Sequence, residues 1–324
     1  MRHLIYLLVA IVMMACGGGG GENGALHERD SASSQLVEIE NAVKPRKYNA
    51  DNFFAISSPG HGIFVGNNVE MMSRLDIDSF SVVTMAPDGN TLAYADSDTS
   101  ERHLHIYKID SGDDSELDLG PFDTCPADFD ASGNILALAV RNLYDVSEIY
   151  LVDIKNRTKT MVSEKGNVDG DYNPTFSPDG AYLVFHNMRK VKIYSISNGS
   201  PKLWQSIDCE NFCQRNDLVL TPDCKFQMTS DHKHIVFSCL DYSTEVNDSY
   251  RLIMYDMSTM EIHDLISDES SCRDFQVSDL GAVYYIQVSA DSTKQLYMAD
   301  LENISTVRVS DKPLCDSVSL SIAY

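Results

Sequence analysis

The chain has 324 residues, and 48 acidic residues against 25 Lys and Arg give it a formal net charge of −23. This charge excludes nucleic-acid binding through a basic surface. Apolar residues make up 43% of the chain, which is typical of a globular protein with a large core. The long apolar run at residues 4–15 is too short to span a bilayer, and no run of about 18 apolar residues follows it.

The N-terminus has the layout of a secretory signal peptide: a basic start at residues 1–3, then an apolar stretch at 4–14. Its end, Met13-Met14-Ala15-Cys16, resembles the lipobox of bacterial lipoproteins. The resemblance implies that residues 1–15 are removed and that Cys16 receives a diacylglycerol. An ordinary signal peptide followed by a chance cysteine is the alternative.

Residues 16–47 follow as the lipidated cysteine and a flexible tether. Gly17–Gly21 come directly after Cys16, and the segment is polar and without periodicity. A Gly-rich coil of this length spans about 30 Å. Because Gly17 rather than Asp follows the cysteine, the lipoprotein resemblance implies the outer membrane rather than the inner one. The expected location is the bacterial cell envelope, on the periplasmic or surface side, with the lipid bilayer bound through acylated Cys16.

Residues 48–324 repeat one unit, in which an apolar strand, a tight turn, a second apolar strand and a third strand ending in a polar residue follow one another. The turns are centred on Gly89, Gly133, Gly180, His232 and Leu280, at spacings of 44, 47, 52 and 48 residues. This is the length of a four-stranded propeller blade. Pro and Gly in turns such as Ser177-Pro178-Asp179-Gly180 suit a tight hairpin.

Two fragments remain after five copies. Residues 316–324 have the pattern of a first strand without a blade after it, and residues 52–75 contain short strands without a first strand before them. Together they predict a composite blade. The predicted fold is therefore an all-β, six-bladed propeller, closed by strands from both chain ends so that no sheet edge stays exposed.

The segment Phe176–Phe185, followed by Ile193-Tyr194, resembles the TolB-type, WD-like propeller repeat. The resemblance covers roughly residues 50–324 and implies a six-bladed propeller in the cell envelope. TolB itself carries an additional α/β domain before its propeller, whereas this chain has only the tether there. We therefore interpret the chain as a TolB-like propeller and not as TolB itself.

Seven cysteines besides Cys16 are compatible with disulfides in an oxidising compartment. Cys224 and Cys239 are expected to be cross-strand neighbours, because the hairpin between them pairs position 228 with 235. Cys272 and Cys315 precede first strands of adjacent blades, so a bond between them would fasten the closing blade. Cys209 and Cys213 would close a small loop, with a zinc site as the alternative. An odd number leaves at least one thiol unpaired.

Motifs for catalysis are missing from the sequence: there is no Gly-x-Ser-x-Gly elbow, Walker loop, His-Glu-x-x-His or dinucleotide-binding glycine pattern. We predict no catalytic residues, no cofactor and no metal site. The pairs His103/His105 and His232/His234 are better explained as exposed histidines than as metal ligands. Likewise, the acid-rich segments 110–118 and 169–171 are interpreted as solvated loops rather than Ca²⁺ sites.

Two functions remain open. The first is a membrane-anchored binding or scaffold module whose propeller presents a surface to an envelope protein, peptide or glycan. The second is a propeller enzyme, a carbohydrate lyase or hydrolase that uses acids and histidines lining the channel. Convergence of side chains such as His186 or His234 with acids at the axis would favour the enzyme.

Overall fold

The computed structural model describes residues 53–58, 62–66, 73–77, 80, 82–96, 103–118, 123–142, 144–197, 200–209, 213, 218–241, 249–266, 271–278, 281–289, 291–301, 305–308 and 319–323. Within these ranges the chain is a β-propeller built from antiparallel sheets. No helix in this part of the chain is long and apolar enough to cross a membrane.

We name the sheets A to F. Sheet A holds β1 (Phe53–Ser58), β2 (Gly62–Gly66), β3 (Ser73–Arg74) and β25 (Ser319–Ala323); sheet B holds β4 (Val82–Met85), β5 (Thr91–Ala95), β6 (Leu104–Lys108) and β7 (Asp113–Leu117); sheet C holds β8 (Asp123–Phe129), β9 (Ile135–Arg141), β10 (Ser147–Asp153) and β11 (Thr158–Met161). Sheet D holds β12 (Tyr172–Phe176), β13 (Tyr182–His186), β14 (Lys190–Ser197) and β15 (Ser200–Asp208); sheet E holds β16 (Leu218–Val219), β17 (Phe226–Met228), β18 (His234–Asp241), β19 (Tyr250–Asp256) and β20 (Ile262–Asp264); sheet F holds β21 (Ser271–Val277), β22 (Ala282–Val288), β23 (Lys294–Asp300) and β24 (Ser305–Arg308).

Five blades, sheets B to F, use strands that are consecutive in the chain, as the repeat predicts. Sheet A differs, because the C-terminal strand β25 pairs with β1 in the order β25-β1-β2-β3. The innermost strands of neighbouring sheets lie beside one another, with β25 between β21 and β4.

The hydrophobic core lies between the sheets. Each large cluster joins two neighbours: Ala93 and Leu104 of sheet B pack with Leu136 and Leu138 of sheet C, for example. Second strands are therefore buried on both faces, which explains their continuous apolar runs. A single sheet cannot bury these faces alone, so its stability depends on its neighbours.

The tight turns between first and second strands follow the sequence, with one correction. Gly89, Gly133 and Gly180 have positive φ, and His232 takes the same conformation (φ 57°) in sheet E. In sheet F the residue with positive φ that closes the turn is Gly281, whose amide donates to Ser278, so the expected position 280 is wrong by one residue. Glycine adopts this conformation without the steric cost of a Cβ.

Candidate functional site

Antiparallel strand order divides the connections between two faces. The turn face carries the turns between first and second strands and the turns between third and fourth strands. In sheet C a hydrogen bond joins these two turns, from the amide of Ile154 to the carbonyl of Asn134 (3.0 Å). The loop face carries the connections between second and third strands and between sheets. There the amide of Asp171 donates to Ser147 and that of Cys209 to Arg189 (both 2.8 Å).

Large apolar side chains are exposed on the loop face of three consecutive sheets. Tyr144 (86% exposed) lies between β9 and β10, and Val168 (81%) lies in the connection from sheet C to sheet D. Met188 and Val219 are exposed on the same face, in sheets D and E. On the turn face of the described structure, Met260 (74%) is the large apolar side chain of comparable exposure. Leu203 (44%) and Trp204 (47%) are exposed as well, on the outer strand β15 of sheet D. Contiguous exposed apolar patches mark interaction sites.

The described chain begins on the opposite face. Phe53 pairs with Ala323, so β1 starts where β25 ends. β25 occupies the innermost position, and first strands such as β4 and β12 end at the turn face. Phe53, the first described residue, therefore lies at the turn face, away from Tyr144 and Val168.

The innermost strands are tied to one another by polar side chains. Each bond links a side chain of one sheet to the backbone of the next. Four side chains accept an amide of the next sheet: Asp128 from Phe176 (2.8 Å), Gln227 from Val277 (2.8 Å), Asp274 from Leu320 (2.9 Å) and Ser321 from Met85 (3.0 Å). In the fifth bond, the hydroxyl of Thr175 donates to the carbonyl of Phe226. Five junctions of the described structure thus share one device, including both junctions of β25.

Lys225 is the cation of this axial region. Its ammonium donates to Asp274 Oδ1 (3.2 Å) and to the carbonyl of Phe275 (2.7 Å). In sheet C, burial raises the pKa of Asp128 to about 7, although the amides of Phe176 and Phe129 and the charge of Lys225 oppose the shift. Asp128, Asp274 and Lys225 are thus engaged in holding sheets together.

The histidines named from the sequence do not converge at the axis. His186 is buried between sheets D and E, where its Nε2 donates to the carbonyl of Cys224 (2.9 Å) and its Nδ1 accepts from the amide of Met188. Burial lowers the pKa of His186 to about 4, so the ring is neutral. His234 lies at the turn face, 3.5 Å from Asp231 and 3.8 Å from Asp256.

The other histidine pairs are partnered by carboxylates. His103 and His105 contact Glu116 (2.9 Å) and Asp114 (3.2 Å) on β7. The interpretation of residues 110–118 as a loop is therefore wrong for residues 113–117, which form the exposed edge strand β7 paired with β6, whereas residues 110–112 form the turn before it. His232 lies 2.8 Å from Asp179 of the preceding turn.

Asp171 is also not in a solvated loop. Its side chain is fully buried, and Lys192 donates to its Oδ1 (3.0 Å), while Oδ2 has no partner. Pairing with Lys192 offsets part of the desolvation cost of this carboxylate, and removal of one partner would leave an uncompensated buried charge. Among the described residues, no group of three or more His, Cys, Asp or Glu side chains is arranged to hold a metal ion.

Cys209, Cys213, Cys224, Cys239 and Cys272 are buried and carry free thiols. The predicted pairing of positions 228 and 235 is confirmed. Cys16, the predicted lipidation site, and Cys315, the predicted partner of Cys272, lie outside the described residues. The disulfide and lipidation predictions therefore stay predictions.

Sequence comparisons give no match to a protein family or to a curated protein. Solved structures match in fold: TolB from Acinetobacter baumannii (TM-score 0.57, 14% identity) covers 84% of this chain and 67% of its own. A putative TolB from Agrobacterium tumefaciens (0.53, 13%) covers 79% and 87%, and a chain of a nidogen–laminin complex (0.54, 12%) covers 84% and 98%. At these identities the similarity shows a shared TolB-like propeller fold.

Two features of the site are not apparent in the sequence. The exposed apolar residues of the loop face are single side chains in polar segments, and they form a group only after the sheets are arranged. No sequence motif marks the acids that join the innermost strands. The one indication in the sequence is an acidic residue inside a first strand, at Asp128 and Asp274.

Proposed function

We propose that this chain is a lipid-anchored bacterial envelope protein whose six-bladed propeller binds a partner protein through its loop face. The observation that carries the proposal is the grouping of Tyr144, Val168, Met188 and Val219 on one face of sheets C, D and E. Tyr and Met are enriched at protein interfaces, where a few buried side chains supply most of the binding energy.

Closure of the ring at six blades is supported by the bonds of β25. Its Leu320 amide donates to Asp274 of sheet F, and its Ser321 hydroxyl accepts from Met85 of sheet B. In this proposal, sheet A is the composite sixth blade. A closed ring makes the loop face a rigid surface, which reduces the entropy lost on binding.

Anchoring through acylated Cys16 is supported by the lipobox and the glycine run after it. In this proposal the tether leads to Phe53 at the turn face, so the attachment point lies away from the loop face. With Gly17 after the cysteine, we propose the outer membrane. The TolB-like fold is compatible with an envelope protein, and the nidogen–laminin complex is an example of this fold in a protein complex.

Photo-crosslinking in cells tests the binding face. A photoreactive amino acid is placed at Tyr144 or, as the matched control, at Met260 on the turn face. We expect one protein to crosslink from Tyr144 but not from Met260. The purified partner should then bind Val168→Ser at least about tenfold more weakly than Met260→Ser. Equal crosslinking from both faces, or equal affinities, would refute the assignment of the loop face.

The anchor is tested in the same cells by mass spectrometry of the mature protein and its Cys16→Ser variant. We expect the mature chain to begin with diacylated Cys16 and to sediment with outer membranes, and Cys16→Ser to lose the acyl chains and the membrane association. An unmodified chain beginning at another residue would overturn the anchor. Because binding of the purified partner needs no lipid, failure of the anchor and failure of the binding face are distinguishable.

A further inference from the structure

The chain contains a single tryptophan, Trp204, and its side chain is exposed on β15, the outer strand of sheet D. Tyr194 of β14 pairs with Leu203, and the preceding residue Ile193 pairs with Gln205. Trp204 falls between these two pairs and is the extra residue of a β-bulge. A bulge re-aims a side chain within a strand. Trp204 therefore has an orientation that regular pairing of β15 would not give it.

The ring of Trp204 lies against Tyr182 of β13, with the two ring centroids 5.0 Å apart and the ring planes at 53°. Tyr182 packs against the hydrophobic cluster between sheets D and E, so this contact lies on the face of sheet D that is turned towards sheet E. β14 separates the two strands, and its residue that pairs with both Tyr182 and Lys202 is Ser195. A small side chain at this position leaves room for the tryptophan to reach Tyr182.

The contacts continue from Tyr182 to the turn of sheet E. His232 meets Tyr182 edge-on, with 4.8 Å between the ring centroids and 67° between the planes. His232 Nε2 in turn lies 2.8 Å from Asp179 Oδ2, in the turn of sheet D. All four side chains are at least partly exposed. We name Trp204, Tyr182, His232 and Asp179 the aromatic row.

Leu203, the neighbour of Trp204, does not extend the aromatic row. It pairs with Tyr194, whose side chain packs in the cluster between sheets C and D. Directly paired residues share one face of a sheet. Leu203 and Trp204 therefore lie on opposite faces of sheet D, and the two exposed apolar side chains of β15 do not form one contiguous patch.

We propose that the aromatic row binds a neutral glycan, with a pyranose ring stacked on Trp204. The face of an aromatic ring is negatively polarised and attracts the C–H groups on one side of a pyranose. Sugar hydroxyls donate to the carboxylate of Asp179 and to Nδ1 of His232, whose Nε2 donates to Asp179. The formal charge of −23 disfavours an acidic glycan.

The chemistry of the aromatic row favours a glycan over a protein partner. A sugar presents C–H groups and hydroxyls side by side, and the aromatic row places ring faces beside an imidazole and a carboxylate, whereas the exposed side chains of the loop face are mostly aliphatic. Mutual ring contacts hold the row in place, and the hydroxyl of Ser177 holds Asp179 through Oδ1 (2.6 Å). A surface fixed before binding loses less entropy on binding. Because Asp179 and His232 lie in turns of the turn face, this site is separate from the proposed protein-binding face.

Fluorescence tests the site directly, because Trp204 is the only tryptophan of the chain. The purified protein is titrated with β-1,4-linked tetrasaccharides of N-acetylglucosamine and of glucose, and with tetragalacturonic acid as the acidic comparison. We expect a neutral tetrasaccharide to change the fluorescence saturably and to protect it from acrylamide quenching, and the acidic one to bind more weakly. No saturable change with either neutral sugar up to about 1 mM, or tighter binding of the acidic sugar, would overturn the proposal.

Calorimetry with variants locates the bound sugar. Trp204→Ala should weaken binding of the neutral tetrasaccharide at least about tenfold. Leu203→Ala is the matched control, since it removes a side chain of similar exposure from the opposite face of the same strand, and it should bind the sugar as wild type does. Equal affinities of these two variants would refute the site.

A second variant keeps the fluorescent reporter. His232→Asn removes the imidazole, and asparagine tolerates the positive φ of this turn position. Its affinity for the tetrasaccharide should fall about fivefold, through loss of a hydrogen bond and a ring contact. Val168→Ser on the loop face should leave sugar binding unchanged, so that failure of the glycan site and failure of the loop face are distinguishable. Wild-type affinity in His232→Asn would show that the row does not act as one site.

Discussion

At the scale of single residues, positive-φ positions control how closely neighbouring turns approach. A Cβ added to Gly180 would lie 3.0 Å from the backbone nitrogen of Ala131 in the turn of sheet C. His232, which takes the glycine position in sheet E, instead contacts Asp179 and the ring of Tyr182 (4.8 Å between centroids). The turn face is therefore continuous across sheets C, D and E.

We predict that Gly180→Ala lowers the free energy of unfolding by about 2–4 kcal/mol, the sum of left-handed strain and a clash with Ala131. Gly166→Ala is the matched control, because Gly166 also has positive φ but nothing lies within 4 Å of an added Cβ. It should cost about 1 kcal/mol. Urea unfolding measures both, and equal losses would show that the approach of the two turns has no energetic role.

At the scale of elements, the acids of β8 and β21 join neighbouring sheets. Asp128 and Asp274 follow bulges in their strands, and each accepts the amide of the next residue as well as an amide of the following sheet. A bulge re-aims a side chain within a strand. The same device therefore recurs at two separate places in the ring.

The carboxyl of Asp128 makes stability depend on pH. Its pKa is raised to about 7 in the folded protein, against about 3.9 in an unfolded chain. Between these values the folded state holds more protons than the unfolded state, so this carboxyl's contribution to the free energy of unfolding falls as the pH rises. The contribution is fully present below about pH 4 and is lost by about pH 7.

Asp128→Asn removes this titration. We expect wild type to lose stability relative to the variant as the pH rises from about 4 to 7, with a constant difference above about pH 8. Denaturant unfolding across this range gives the difference directly, and other titrating groups cancel in it. Asp145→Asn, at a side chain that is 81% exposed, is the control. A difference between wild type and Asp128→Asn that is independent of pH would contradict the prediction.

At the scale of the whole molecule, β25 holds the two chain ends in one sheet. It pairs with β1 and bonds to sheets F and B. If β25 closes the ring, its loss leaves β1 as an exposed edge, removes the Leu320 amide from Asp274 and removes the Ser321 hydroxyl from the Met85 amide. An exposed edge strand is a template for pairing with a second chain.

Deletion of residues 319–324 should therefore make the protein associate, and unfold at lower urea concentration and less cooperatively than wild type. Light scattering after size exclusion and urea titration measure these effects. Deletion of Tyr324 alone is the control and should behave as wild type. A monomeric truncated protein with the wild-type midpoint would mean that β25 does not close the ring.

The repeat could be predicted from the sequence because its causes are local. Pro and Gly at fixed turn positions and unbroken apolar strands such as Ile135–Val140 need only neighbouring residues to be interpreted, and they predict blades 44 to 52 residues long. The one-residue error at Gly281 arose where the turn lacks this chemistry. The pairing of the C-terminal strand with the N-terminal strands could also be predicted from the sequence. Residues 52–75 lack a first strand, and residues 316–324 have the pattern of one.

Only the tertiary structure determined which side chains form hydrogen bonds with which backbone groups. Asp128, Gln227 and Asp274 bond to backbone groups 46 to 50 residues away, and no local pattern marks which polar residue meets which amide. The same reason applies to His186, which is buried rather than axial, and to Tyr144 and Val168, which share a face only after the sheets are arranged. Local residues determine the strands and turns of this protein, whereas packing between sheets determines which side chains are buried, which are bonded and which face a partner.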